Sequence, residues 1–325
     1  MALSCVTNLT NYFLLGEMPI TLDRFPIPSL QNGVYRYIDL VHICFRNLVK
    51  QTELDAVLGK IKKLETYPGE VMHYEVRLLS CRFETPEVER NSVDALDKLI
   101  VMRLQLFKVT LGGDPWRAFF ESCVEKRCLT HVSVRSIDSS SGLFRTLVDV
   151  LPRLSLASLA FSQVRLESTY AQIVENAGDA LEELDMSSCY LTGGDVLSTI
   201  ASRAGRNLRR VLLCFNKLAS VGGLPHLLYR CKKLESISIM GVPNLDLDKA
   251  SMLEEIKVHP CFMHVVGVFD ENFMREMDSS AKEPDRKNRR VILAFMTRCI
   301  KRVSTRSSVR KLFCDVDRLV WSFLM

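Results

Sequence analysis

Residues 181–191 read Leu-Glu-Glu-Leu-Asp-Met-Ser-Ser-Cys-Tyr-Leu. Apolar side chains stand at positions 1, 4, 6 and 11 of this stretch, and Cys189 stands at position 9. Leu184 and Met186 are two residues apart, the period with which a strand turns one face to a core. Working outward, the same offsets return. Downstream, Leu208 leads Val211, Leu213, Asn216 and Leu218; Leu234 leads Ile237, Ile239 and Val242, with Leu245 one place late. Upstream, Leu156 leads Leu159, Phe161, Val164 and Leu166, and Leu129 leads Val132, Val134 and Ile137. Val101 leads Leu104, Leu106, Val109 and Leu111, and a weaker unit starts at His73 with Val76, Leu78, Cys81 and Phe83. Phe262–Val268 offers a last strand. The eight starts lie 25–28 residues apart, and internal similarity at such a period marks stacked repeats.

The pattern Leu-x-x-Leu-x-Leu-x-x-Asn/Cys-x-Leu resembles leucine-rich repeats. Amphipathic patterns between the strands (Val93–Leu99, Trp116–Val124, Leu143–Leu151, Tyr170–Ala177, Val196–Ala204, Leu224–Cys231, Met252–Val258) make each unit a strand plus a helix. The expectation is an α/β leucine-rich-repeat solenoid. It would be a horseshoe with strands concave and helices convex, and with helical caps at both ends, because a terminal repeat cannot bury its own apolar face. The sequence divides into a cap over 1–70, repeats over 71–270 and a basic cap over 271–325. Within the first cap, Tyr35–Lys50 and Leu54–Leu64 have helical spacing, and Pro26 and Pro28 mark an irregular lead-in.

Length and composition agree with a folded chain. Of 325 residues 47% are hydrophobic and 25% charged, which excludes wholesale disorder. The net charge of +5 is unevenly spread: residues 282–311 carry 11 basic against two acidic side chains, +9, leaving −4 elsewhere. Arg286, Lys287, Arg289, Arg290, Lys301 and Arg302 form a basic patch with two readings, the solvated face of capping helices or a site for an anionic partner. Without aromatic interleaving, a nucleic acid is the less expected partner. Eleven cysteines, an odd number without a Cys-x-x-Cys pair, read as reduced thiols in the cytoplasm or nucleus. No apolar run reaches the roughly 18 residues of a membrane span. The first residues lack the basic segment of a secretory leader, so Asn8-Leu9-Thr10 is read as a chance sequon.

Catalytic motifs are missing from the sequence: no phosphate-binding glycine loop, nucleophile elbow or His-Glu-x-x-His helix occurs. His259, Cys261 and His264 lie close in sequence but read as structural, as do Cys123 and Cys128. No catalytic residue, metal site or cofactor is expected, and the chain reads as a non-enzymatic interaction protein.

One short motif points to a partner. Leu40, Cys44 and Leu48 lie four residues apart, a stripe that one side of a helix would present to a hydrophobic groove. The motif resembles the BC-box by which substrate receptors dock on elongin C. Together with the repeats, Met263–Phe269 and the paired C-terminal helices, the order of parts is similar to the zyg-eleven and zer-one family, substrate receptors of cullin-two–elongin ubiquitin ligases. The resemblance implies a ligase adaptor that binds elongin C, a cullin and a client protein. The family's downstream cullin-binding proline is missing between Thr52 and Leu64, and its armadillo-like array has no counterpart here. The other reading is a leucine-rich-repeat scaffold or regulatory protein with no ligase link.

Positions 3, 5 and 7 of each unit should face outward on the strand side. Among them Arg210, Leu212, Cys214, Ser238 and Met240 make a mixed patch for a partner, unless a segment of this chain covers it.

Overall fold

The computed structural model describes residues 20–31, 34–64, 73–109, 111, 114–167, 169–193, 195–204, 206–240, 254–256, 258–261 and 264–266. The chain separates into two compact units, residues 1–191 with 203–208, and residues 192–202 with 209–325. Both are built from alternating strands and helices.

In the first unit, β1 (Ile20–Gln31) and β2 (Val34–Val49) form an antiparallel pair. After α1 (Gln51–Leu64) comes β3 (His73–Phe83), then α2 (Pro86–Asp97), β4 (Val101–Phe107), α3 (Asp114–Lys126) and β5 (His131–Arg135). The series continues with α4 (Gly142–Val150), a 3-10 turn at Leu151–Arg153, β6 (Ser158–Ser162), α5 (Tyr170–Asn176) and β7 (Glu183–Asp185). From β2 to β7 each strand pairs in parallel with the next. The second unit holds α6 (Val196–Arg203), β8 (Arg210–Leu212), α7 (Leu224–Arg230), β9 (Ser236–Ser238) and β10 (His264–Val266), the three strands again parallel in sequence order.

Parallel register turns the sequence offsets into rows. At position 4, Ile43, Val76, Leu104, Val132, Leu159 and Leu184 stand side by side across the first unit. At position 6, Phe45, Leu78, Leu106, Val134 and Phe161 do the same. Every one is at most 1% exposed, and each such burial contributes roughly 1.5–3 kcal/mol. The helices fill the other side with Trp116, Phe119 and Phe120, which stack edge to face. Their starts are set locally: Thr85 accepts from the amide of Val88 ahead of Pro86, and Ser141 accepts from that of Phe144. Neighbouring helices are tied by Asn91 to Gln51, by the Trp116 indole to Glu89 at 3.0 Å, and by Arg153 to Glu121.

The strand starts share acceptors. The amides of Ala157 and Ser158 both donate to the carbonyl of Thr130, those of Glu182 and Glu183 to Ala157, and in the second unit those of Glu235 and Ser236 to Arg209. The strand ends share a conformation: the residue at position 8 is left-handed in Asn47, Ser80, Lys108, Ser136, Gln163, Ser188 and Phe215, with φ between 49° and 58°. None is glycine. Neighbouring units hold this turn in place, since the position-8 amides of Lys108, Ser136 and Gln163 donate to the position-7 carbonyls of Arg135, Ser162 and Ser187.

The helix expected at Tyr35–Lys50 is instead β2. Leu40, Ile43, Phe45 and Leu48 hold positions 1, 4, 6 and 9 of a further repeat, and Asn47 makes the same left-handed turn. Four is an even number, so the Leu40–Cys44–Leu48 spacing suits a strand as well as a helix. The alternation of Val41, Ile43 and Phe45 beside the open edge of β3 decides between them. Pro26 and Pro28 likewise lie inside a strand. Among the described residues of this unit β1 pairs with β2 alone, and an edge strand tolerates residues that lack an amide donor. The helix expected at Leu54–Leu64 is present as part of α1. The C-terminal cap at 271–325 and its basic patch, Arg286, Lys287, Arg289, Arg290, Lys301 and Arg302, lie outside the described residues. No helix among the described residues is long and apolar enough to cross a membrane.

Candidate functional site

The outward row of the second unit differs from its expectation. Arg210 and Leu212 are half-buried, but Cys214, Ser238 and Met240 are each 5% exposed or less. β8 ends at Leu212 and β9 at Ser238, so Cys214 and Met240 sit in the turns that follow the strands. There the Cys214 thiol lies 2.9 Å from the Ser238 hydroxyl, and the amide of Phe215 donates to the Met240 carbonyl. The exposed apolar patch is therefore reduced to Leu212 beside Arg210.

The first unit carries a stronger feature. Its positions 3, 5 and 7 place Arg46, Arg77, Arg103 and Arg135 on one face across β2 to β5, with His42 and His131. The single carboxylate there, Glu75, is almost fully buried. It accepts from Arg77 Nε and from Gln105 Nε2, each at 2.6 Å, and lies 3.7 Å from His42 Nε2. Both partners converge on one oxygen, so Glu75 is committed to β2, β3 and Gln105. On β4 and β5 the outward residues are Arg103, Gln105, Phe107, His131, Ser133 and Arg135, with no acid among them. Arg135 stacks over the Phe107 ring at 5.5 Å, and exposed Lys108 approaches the same ring at 5.4 Å. Among the described residues neither Arg103 nor Arg135 meets a carboxylate, and Arg135 Nε has no acceptor.

Position 9 does the structural work expected of it. Buried Asn216 donates through Nδ2 to the Leu213 carbonyl at 2.9 Å, and Cys189 Sγ donates to the carbonyl of Phe161, one repeat back, at 3.2 Å. Burial pushes the Cys81 and Cys189 thiols up to about 12. Cys44, expected to centre a docking stripe, is buried in β2 and accepts from Arg46 Nε. Leu48 is half-buried on the same strand. Cys123 and Cys128 adjoin, and a hydrogen bond from Cys123 lowers the pKa of the Cys128 thiol. His259 is buried between the carbonyl of Cys231 and the amide of Cys261. Among the described residues no group of three or more His, Cys, Asp or Glu side chains could hold a metal ion.

The cationic rows of β4 and β5 were within reach of the sequence once the repeats were aligned. Reading positions 3, 5 and 7 down the units shows arginine recurring from Arg46 to Arg135.

No family model matches the chain, and no curated protein matches it. Among solved structures it is similar to the tropomodulin C-terminal domain of Caenorhabditis elegans, at 13% identity over 55% of this chain and 98% of that one, with a TM-score of 0.33. It is also similar to a chain of the Toll–Spatzle complex of Drosophila, at 14% identity over 78% of this chain and 38% of that one, with a TM-score of 0.40.

Proposed function

We propose that the chain is a leucine-rich-repeat interaction scaffold that holds a protein partner on the outward side chains of its strands. The observation that carries this reading is the alignment of positions 3, 5 and 7 into straight rows across parallel strands, beside buried rows that fix their spacing. Such an arrangement holds side chains at fixed intervals on a rigid support, which suits recognition of an extended surface. A comparison of partner capture by outward variants (Arg77→Glu, Arg103→Glu, Leu212→Asp) and helix-side variants (Arg117→Glu, Asp149→Lys) tests it. Partners lost only with the outward set support the scaffold reading; equal capture by both sets sinks it.

The ubiquitin-ligase reading, with elongin C and a cullin as partners, depended on a helical stripe of Leu40, Cys44 and Leu48. In β2 these residues belong to a repeat, and Cys44 is buried beside Arg46 on the strand's outward row, so nothing in the site favours the ligase over a plain scaffold. Co-purification with elongins B and C, lost in Leu40→Ser/Cys44→Phe with folding intact, would restore it.

A further inference from the structure

We infer that the outward face of β4 and β5 binds an extended acidic peptide, with carboxylates four residues apart meeting Arg103 and Arg135; this rests on the scaffold reading. Three observations converge. First, the face has charge without compensation: two arginines and the neighbouring Lys108, with no acid among the six outward residues. Glu75, the nearest carboxylate in register, is already held by Arg77 and Gln105. Second, the cations are braced. Arg135 and Lys108 lie on the Phe107 ring, which restrains a guanidinium that would otherwise lose rotamer freedom on binding, and Arg135 Nε lacks an acceptor. Third, the spacing is that of an extended chain. Arg103 pairs across from His131, and Arg135 lies four residues further along β5, roughly 13 Å at about 3.3 Å per strand residue. An extended peptide repeats its side-chain direction every second residue, so acids at the first and fifth positions of a five-residue segment span the same length. Between the two arginines Ser133 is short and Gln105 is drawn aside to Glu75, and neither carries a competing charge.

A peptide fits better than a nucleic acid. The Phe107 ring already carries two cations and offers no free stacking platform for a base. Three cationic side chains are also few for tracking a phosphate backbone.

Selection from a random-peptide display library on the full chain, followed by fluorescence anisotropy at low salt, tests the assignment. The expected winners carry Asp or Glu four residues apart. They should lose about tenfold or more in affinity for Arg103→Glu/Arg135→Glu and weaken with added salt. Arg103→Gln/Arg135→Gln, which removes charge without reversing it, should lose affinity at an unchanged thermal midpoint and so separates binding from folding. Winners without acids, or winners that bind the charge-reversed chain as well as wild type, overturn this inference while leaving the scaffold reading in place. So do acidic winners lost instead on Arg289→Ala/Arg290→Ala/Lys301→Ala. A single-stranded oligonucleotide that binds more tightly through the same two arginines overturns the peptide assignment. A chain that selects no peptide at all removes the inference and counts against the scaffold reading as well.

Discussion

His259 bridges two backbone segments: its Nε2 lies 3.0 Å from the carbonyl of Cys231, 28 residues back, and its Nδ1 accepts the amide of Cys261 at 3.2 Å. Only a neutral ring with its proton on Nε2 satisfies both. Burial lowers the His259 pKa below the usual histidine value, outweighing the Cys231 carbonyl, which acts to raise it. A histidine held neutral in the fold binds fewer protons than in the unfolded chain, so stability falls as pH drops below the unfolded value of about 6.5 and is unaffected by this group above it. Thermal midpoints recorded from pH 8 to pH 5 should decline in that lower range, and His259→Gln should decline less. Equal slopes for the two proteins would remove His259 as a cause.

Two glycines should respond oppositely to alanine. A Cβ at Gly223 would meet the Ser198 backbone nitrogen at 2.6 Å, whereas one at Gly59, inside α1, meets nothing within 4 Å. Gly223→Ala should therefore cost about 1–3 kcal/mol through a backbone shift. Gly59→Ala should gain about 0.5–1 kcal/mol from the lower entropy of the unfolded chain. Denaturant midpoints of the two variants check the sign of each.

At the left-handed position 8, glycine should outperform a β-branched residue. Gln163 has φ 58°, a region that costs an L-residue about 1–2 kcal/mol. Gln163→Gly should exceed Gln163→Val by roughly that amount in unfolding free energy. Equal stabilities would mean the turn relaxes when the side chain changes.

The cysteines should separate by reactivity. Cys261 is exposed, while Cys81 and Cys189 are buried with thiols pushed up to about 12 and Cys231 with its thiol up to about 11. At pH 8 iodoacetamide should label Cys261 on the native chain and reach the other three only after unfolding. The hydrogen bond from Cys123 lowers the Cys128 thiol pKa, but the group is buried, so its labelling should begin at lower pH than that of Cys81 or Cys189 and stay slower than that of Cys261. Mass spectrometry showing Cys189 labelled as fast as Cys261 would contradict the packing of its repeat.

Most strands were legible because position 4 and position 6 apolar pairs recur, and the helices followed from the length left between them. β2 escaped because Leu40 lies 33 residues before His73, outside the 25–28 interval, and because a four-residue spacing satisfies both helix and strand. The position-8 turn left no trace in the sequence: Asn47, Lys108, Gln163 and Phe215 share no chemistry, and the conformation is imposed by amides that reach the next repeat. Of the candidate site, the arginines could be listed by offset, but the commitment of Glu75 and the bracing of Arg135 by Phe107 needed side-chain positions. The outward exposure expected for Cys214, Ser238 and Met240 failed because their burial depends on packing that offsets alone do not show, such as the Cys214–Ser238 contact.

The paired amides that converge on one carbonyl at the starts of β6, β7 and β9, as Ala157 and Ser158 do on Thr130, involve main-chain atoms alone. Such a joint is indifferent to the side chains on either side of it. Whole modules can then be duplicated, excised or exchanged by recombination while the seams stay compatible, and the residues displayed outward are free to diverge. Inheritance of this kind lets a lineage acquire new specificities by shuffling intact segments rather than by rebuilding a core.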